Sequence, residues 1–227
     1  MKLSWQLTLM VGLLCVVVVA STGCGSSKSK ATVRVMNASP GEGAITATLG
    51  DTSVATDLAY ATVSDYTSVS SGSATFKVEQ SSTSNSIIDQ SISLTANGDY
   101  TILVANYSTS VAVVSLTDNN STPSSGDCNL RIVQASPGLQ SADVYVVSPG
   151  TSLSSVSPTV SSLSFESASS YLPLTAGTYE VYFTATGQKQ AYIDSGPLSL
   201  SSGQVRTLVG LDGSAGGYTS ALLSDVN

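Results

Sequence analysis

The residues with chemistry to offer are ten tyrosines, three cysteines and a scatter of single carboxylates. There is no His. That removes imidazole acid–base catalysis, histidine-activated serines and His metal sites. No Gly-x-Ser-x-Gly elbow occurs beyond the first 23 residues, and no Walker-type loop. A Ser–Lys pair would need a desolvated lysine. Lys28 and Lys30 sit in a polar stretch, and Lys77 and Lys189 fall on outward strand or turn positions. No carboxylate pair stands out for glycoside hydrolysis. Asp118-Asn119-Asn120 and Asp212-Gly-Ser-Ala-Gly-Gly217 place oxygens in loops. Calcium takes about six to eight oxygens, and neither segment has EF-hand spacing. The expectation is no enzyme, no metal and no cofactor.

Binding is the better prospect. Tyr60, Tyr66, Tyr107, Tyr145, Tyr171, Tyr182, Tyr192 and Tyr218 could present flat rings to sugars or peptides. Half-buried strand tyrosines are the alternative. The single Trp is Trp5, so beyond the leader no Trp is left for glycan stacking.

The elements that would position these rings begin with an address. Lys2 is followed by an apolar run over residues 7–20 and by Ser21-Thr22-Gly23-Cys24. This predicts a signal peptide over 1–23. The run is short for a spanning helix, which needs about 20 apolar residues. Small residues ending at Cys24 resemble the bacterial lipobox, although Ser21 stands where that motif usually has Leu. The resemblance implies that Cys24 becomes the first mature residue and carries a diacylglyceryl thioether and an N-acyl chain of the palmitate type. Plain secretion, with cleavage after Ala20 or Gly23, is the competing reading. Residues 24–31 then form the lipidated Cys and a flexible tether. Gly25 in place of Asp points to the outer membrane, by resemblance to the enteric sorting rule. Cys15 leaves with the leader and Cys24 takes the lipid, so Cys128 is expected as a small half-buried residue at a strand start. Without lipidation, a Cys24–Cys128 bridge becomes possible.

Composition sets the class. There are 44 Ser, 24 Thr and only 10% charged residues, with a sequence pI of about 4.2. A basic nucleic-acid footprint is absent. Removing Lys2 leaves seven basic against 15 acidic residues, a net charge of 7 − 15 = −8.

The mature chain repeats. Residues 33–41 (Val-Arg-Val-Met-Asn-Ala-Ser-Pro-Gly) align with 130–138 (Leu-Arg-Ile-Val-Gln-Ala-Ser-Pro-Gly) at an offset of 97. Residues 66–72 align with 171–177 at an offset of 105. The second copy therefore carries eight extra residues, placed in 148–162. The repeat makes Tyr66 and Tyr171 equivalent, and they read as structural corners. Both copies alternate with period two: Ala74, Phe76 and Val78 share one face, as do Tyr179, Val181 and Phe183, and as do Tyr100, Ile102 and Val104. Short alternating strands bounded by Gly, Ser, Asn and Asp predict an all-β fold of two tandem antiparallel, immunoglobulin-like β-sandwich domains over 32–118 and 128–227, joined by a linker over 119–127. Residues 95–98 and 200–203 read as hairpin loops.

A strand, Ala-Ser-Pro, the Asp143-Val-Tyr-Val146 strand and Tyr171-Leu-Pro-Leu-Thr-Ala-Gly-Thr-Tyr-Glu-Val181 together resemble bacterial domain of unknown function 4397. The first copy departs at Thr46, in place of Asp143, and at Ser68, in place of Pro173. The resemblance implies an exported or lipid-anchored tandem protein and no particular activity. The functional expectation is a non-catalytic cell-envelope lipoprotein serving as a structural or protein-interaction module. The alternative is a surface adhesin or glycan-binding module. A membrane through Cys24 and an unassigned protein or glycan are the expected partners, with no nucleic acid.

Overall fold

The computed structural model describes residues 29–226. The signal peptide, Cys24 and the start of the tether lie outside the described residues.

The first copy contains β1 (Lys30–Ala38), β2 (Ile45–Leu49), β3 (Thr52–Leu58), β4 (Thr67–Ser70), β5 (Gly72–Gln80), β6 (Ser86–Leu94), β7 (Asp99–Ala105) and β8 (Ala112–Asp118). They form two sheets, β4-β1-β7-β8 and β3-β2-β5-β6. The second copy contains β9 (Asp127–Gln134), β10 (Ser141–Val147), β11 (Val160–Ser164), β12 (Ser167–Ala168), β13 (Leu172–Thr175), β14 (Gly177–Ala185), β15 (Ala191–Leu200), β16 (Val205–Asp212) and β17 (Tyr218–Val226). Its sheets are β12-β9-β16-β17, with β13 also on β9, and β11-β10-β14-β15. Even the two-residue β12 has a counterpart: Ala168 pairs with Val133 as Val63 bridges Met36. The extra residues of the second copy fall in the β10–β11 connection, around a short 3-10 turn at Leu153–Ser155.

Both units are β-sandwiches. Pairing is antiparallel except for β1 with β7 and β9 with β16, which run parallel. A parallel pair needs a long crossover, and the excursion through the facing sheet supplies it. Residues 95–98 and 200–203 are therefore not hairpin loops. Each joins one sheet to the other, because β6 and β7, like β15 and β16, belong to different sheets. In the first copy Tyr100 locks this crossing. Its hydroxyl accepts the Thr95 N–H at 2.9 Å. A Cβ on Gly98 would lie 2.7 Å from the Tyr100 ring. The tyrosine corner is thus Tyr100, not Tyr66.

Alternation builds the two inner cores. Strand β2 reads buried, intermediate, buried, intermediate, buried. Val33, Val35, Ile45, Phe76, Val78 and Ile102 fill the first core. Leu130, Ile132, Val144, Val181, Phe183 and Ile193 fill the second. Cys128 is fully buried in this second core, deeper than the half-buried position expected.

Strands β1, β7, β9 and β16 break the alternation and are buried on nearly every residue. Such runs mean that both faces are covered. The cover is the other copy. Met36, Leu103 and Ala105 form a third apolar cluster with Val133, Val209, Leu211 and Leu223. The two sandwiches pack sheet against sheet through it.

The Ala-Ser-Pro-Gly motif is a templated turn after β1 and β9. Asn37 Nδ2 donates to the carbonyls of Gly43 and Leu58 at 2.7 and 3.1 Å, and its Oδ1 accepts the Ser39 N–H. Gln134 repeats this through the Leu139 carbonyl and the Ser136 N–H. The departure at Thr46 keeps its contact. Thr46 Oγ1 accepts the Asp57 N–H, as Asp143 Oδ1 accepts the Ser162 N–H, and both donors have positive φ. Pro173 is tolerated because β13 lies outside the main strand order of its sheet.

Candidate functional site

Acids read as scattered single residues converge at the domain interface. Arg34 on β1 reaches across to Asp225 on β17 and to the Ser224 carbonyl at 2.7 Å. Arg131 on β9 makes the reciprocal reach to Asp118 on β8 at 2.6 Å, and to the Thr117 carbonyl at 3.1 Å. The arginine side chains are 3% and 4% exposed and both carboxylates fully buried. Each guanidinium Nε also donates within its own domain, Arg34 to Thr101 and Arg131 to Thr207. Those hydroxyls donate onward to Asp118 and Asp225 at 2.7 and 2.6 Å. Tyr66 and Tyr171 close the array. Their hydroxyls donate to Asp118 and Asp225, and Arg34 and Arg131 lie over their rings at 4.6 and 4.8 Å. The result is a pseudo-twofold exchange, in which each copy lends an arginine to the other's aspartate.

The array is structural, since every buried polar group in it is paired. Its tyrosines make it sensitive to alkali. Burial, then the Asp118 carboxylate, pushes the Tyr66 hydroxyl well above its ordinary value of 10. Burial likewise raises Tyr171, against the opposing pull of Arg131. In the unfolded chain these hydroxyls ionise near 10. The folded state holds their protons to higher pH, so this contribution is complete below about pH 10 and is lost as pH rises beyond it. The urea midpoint should fall above pH 10, and the double substitution Tyr66→Phe/Tyr171→Phe should flatten that fall. An unchanged alkaline slope in the double variant contradicts the assignment.

A second convergence is open to solvent. Asp212 ends β16 and Tyr218 begins β17, paired across the hairpin. Asp212 Oδ1 accepts from Ser136 Oγ and from the Gly138 N–H at 3.2 Å. Its Oδ2 accepts the Tyr107 hydroxyl at 2.6 Å, and its backbone carbonyl accepts the Tyr60 hydroxyl at 2.6 Å. Tyr60 and Tyr107 come from the first sandwich. Burial and Asp212 push Tyr60 up to about 12, and the bond to Asp212 raises Tyr107. Around them lies a cleft of about 310 Å³, lined by Pro40, Tyr107, Gly138, Asp212, Tyr218 and the glycines of the hairpin. Gly138 is needed for closeness rather than for turn geometry. Its φ is not positive, and a Cβ there would meet both Asp212 carboxylate oxygens at 3.1 Å. Tyr192 packs edge-on against Tyr218, with ring centroids 5.4 Å apart.

The remaining candidates are placed elsewhere. Tyr145 is buried beneath Lys189, whose Nζ donates to the Val156 carbonyl. Tyr182 donates to Glu180 and is raised to about 12 by that bond. Lys77 makes an exposed pair with Asp89. Asp118 and Asp212, read as loop oxygens, are both committed to protein donors. Asn120 donates to Asp99 at 3.0 Å. Cys128 is a free thiol, pushed up by burial and by Asp127, which suits packing rather than reaction. Among the described residues no three His, Cys, Asp or Glu side chains converge to hold a metal. Sequence reasoning missed the buried exchange, although Arg34 and Arg131 stand at matching positions of the repeat.

Fold and sites together define a tandem β-sandwich protein whose copies share one interface. The chain belongs to the family described as Domain of unknown function (DUF4397), which matches twice, over residues 31–145 and 129–227. No curated protein matches the sequence. Among solved structures, the Bacillus anthracis TIE protein is similar at 13% identity and a TM-score of 0.26, over 80% of this chain and 33% of that one. The chain thus spans a third of that protein's length. The CBM26 module CBMbc of Eubacterium rectale Amy13K, solved with maltoheptaose, is similar at 11% identity and a TM-score of 0.28, over 87% of this chain and 98% of that one. At these scores neither likeness bears on function.

Proposed function

We propose that this is a non-catalytic cell-envelope lipoprotein, tethered through acyl chains on Cys24, whose two sandwiches act as one structural or protein-interaction module. The observation that supports the module most is the reciprocal Arg34–Asp225 and Arg131–Asp118 exchange over a shared apolar interface. Two sandwiches joined only by a linker would move independently. An interface this well paired makes a rigid body, which suits a spacer or a platform. The lipid anchor is supported by the apolar run, the small residues before Cys24 and the polar tether after it. More than one acyl chain gives stable attachment, where a single chain is marginal. A mature charge of −8 keeps the domains off an anionic bilayer surface. Gly25 after Cys24 favours the outer membrane.

Growth with an alkyne-bearing palmitate analogue tests the anchor. The wild-type protein should take the label and fractionate with membranes, and Cys24→Ala should lose both. An unlabelled wild-type protein, or a Cys24→Ala protein that stays with membranes, overturns the anchor. Protease added to intact cells then separates an outward-facing module from a periplasmic one.

A further inference from the structure

We infer that the interdomain cleft at Asp212 is a binding site for the end of a neutral saccharide. Only three large hydrophobic side chains among the described residues are strongly exposed: Tyr107 at 45%, Tyr192 at 46% and Leu222 at 40%. One of them, Tyr107, stands in the cleft wall, and a second, Tyr192, flanks the cleft edge-on against the lining Tyr218. Flat exposed tyrosines offer an apolar face with a polar edge, the match for a sugar ring's C–H face and hydroxyls.

Between the rings lies an acceptor held in place. Asp212 is 8% exposed and fixed by Ser136, Gly138 and Tyr107. A carboxylate has about four lone-pair sites, so three bonds leave one for a ligand hydroxyl. No Lys or Arg lines the cleft, which disfavours anionic ligands. The donors already on both carboxylate oxygens spread its charge, which disfavours a cation as the occupant. Gly213, Gly216 and Gly217 present bare backbone, and the last two have φ of 93° and 73°. Ligand pockets run from about 300 to 1,000 Å³, so this cleft suits roughly one or two sugar rings.

The cleft also marks where the copies diverge. The repeat places Asn106 opposite Asp212, and Ser39 donates to the Asn106 carbonyl rather than to a carboxylate. The pseudo-twofold clamp is kept, while this site exists on one side only. The inference rests on the interaction-module reading and is independent of the lipid. Loss of the acyl label would leave it standing, and failure to bind sugar would leave the anchored module standing.

The test is titration calorimetry on the full mature chain with neutral pentasaccharides (cellopentaose, maltopentaose and penta-N-acetylchitopentaose), with Tyr ring chemical shifts as a second readout. At least one should bind, shifting Tyr107, Tyr192 and Tyr218. Tyr218→Ala should weaken binding about tenfold or more. Tyr192→Ala, at an exposed position where folding is not at risk, should weaken it several-fold. Tyr182→Ala, away from the cleft, should change nothing. Absence of binding by all three sugars at about 10 mM overturns the inference. So does binding that survives both Tyr218→Ala and Tyr192→Ala, or tighter binding of tetramethylammonium than of any sugar.

Discussion

Asp225→Ala should lower the unfolding free energy by about 3–5 kcal/mol, the usual effect of stranding a buried charge. Asp225 Oδ1 accepts Arg34, and its Oδ2 accepts Tyr171 and Thr207 at 2.9 and 2.6 Å. Truncation leaves the Arg34 guanidinium, 3% exposed, without its counter-charge, and two hydroxyls without an acceptor. Asp118→Ala should cost somewhat less, because Arg131 keeps Asp225 Oδ2 at 4.0 Å while Tyr66 and Thr101 lose their acceptor. Because the pairs are buried, added salt should change the loss little. A urea series on both variants checks this. A loss below about 1 kcal/mol, the range of exposed pairs, would show that water reaches the interface.

Leu103→Ala should cost about 2–5 kcal/mol, as for other large-to-small changes at fully buried sites. Leu103 is fully buried, yet it does not belong to the first sandwich's own core. It packs in the shared cluster with Val209 and Leu211 of the second sandwich. Its neighbours Ile102 and Val104 point the other way, into the first core. The distinguishing readout is therefore location. Leu103→Ala should shift the methyl resonances of Val209 and Leu211, whereas Ile102→Ala should cost similar stability and leave them in place. Shifts confined to the first sandwich would contradict the interface.

The inward faces of β5 and β14 were legible from alternation. Phe76, Val78, Val181 and Phe183 point to the cores as period two requires. The outer faces were not, because covering them depends on which sheet meets which. The unbroken run Thr101-Ile-Leu-Val-Ala105 carried the signal, a strand apolar on both faces, and its counterpart at β16 repeated it. Arg34 and Arg131 fall at one repeat position, a signal that alternation does not use. Their partners are out of reach of pattern reading, since Asp225 lies 191 residues from Arg34 and in the other copy. Loops 95–98 and 200–203 look like hairpin turns because Gly and polar residues also serve crossings between sheets. Tyr66 and Tyr171 were rightly read as structural, but they roof the buried arginines rather than turn corners. The Asp212 cleft is assembled from both copies, so no local segment announces it.

The two sandwiches form one body through the shared apolar cluster and the Arg–Asp exchange. Rotational correlation times from 15N relaxation of the full mature chain report on this. One shared value for β1–β8 and β9–β17, splitting toward two shorter values in the Asp118→Ala/Asp225→Ala protein, is the predicted result. Two separate, shorter values already present in the wild-type chain would contradict it.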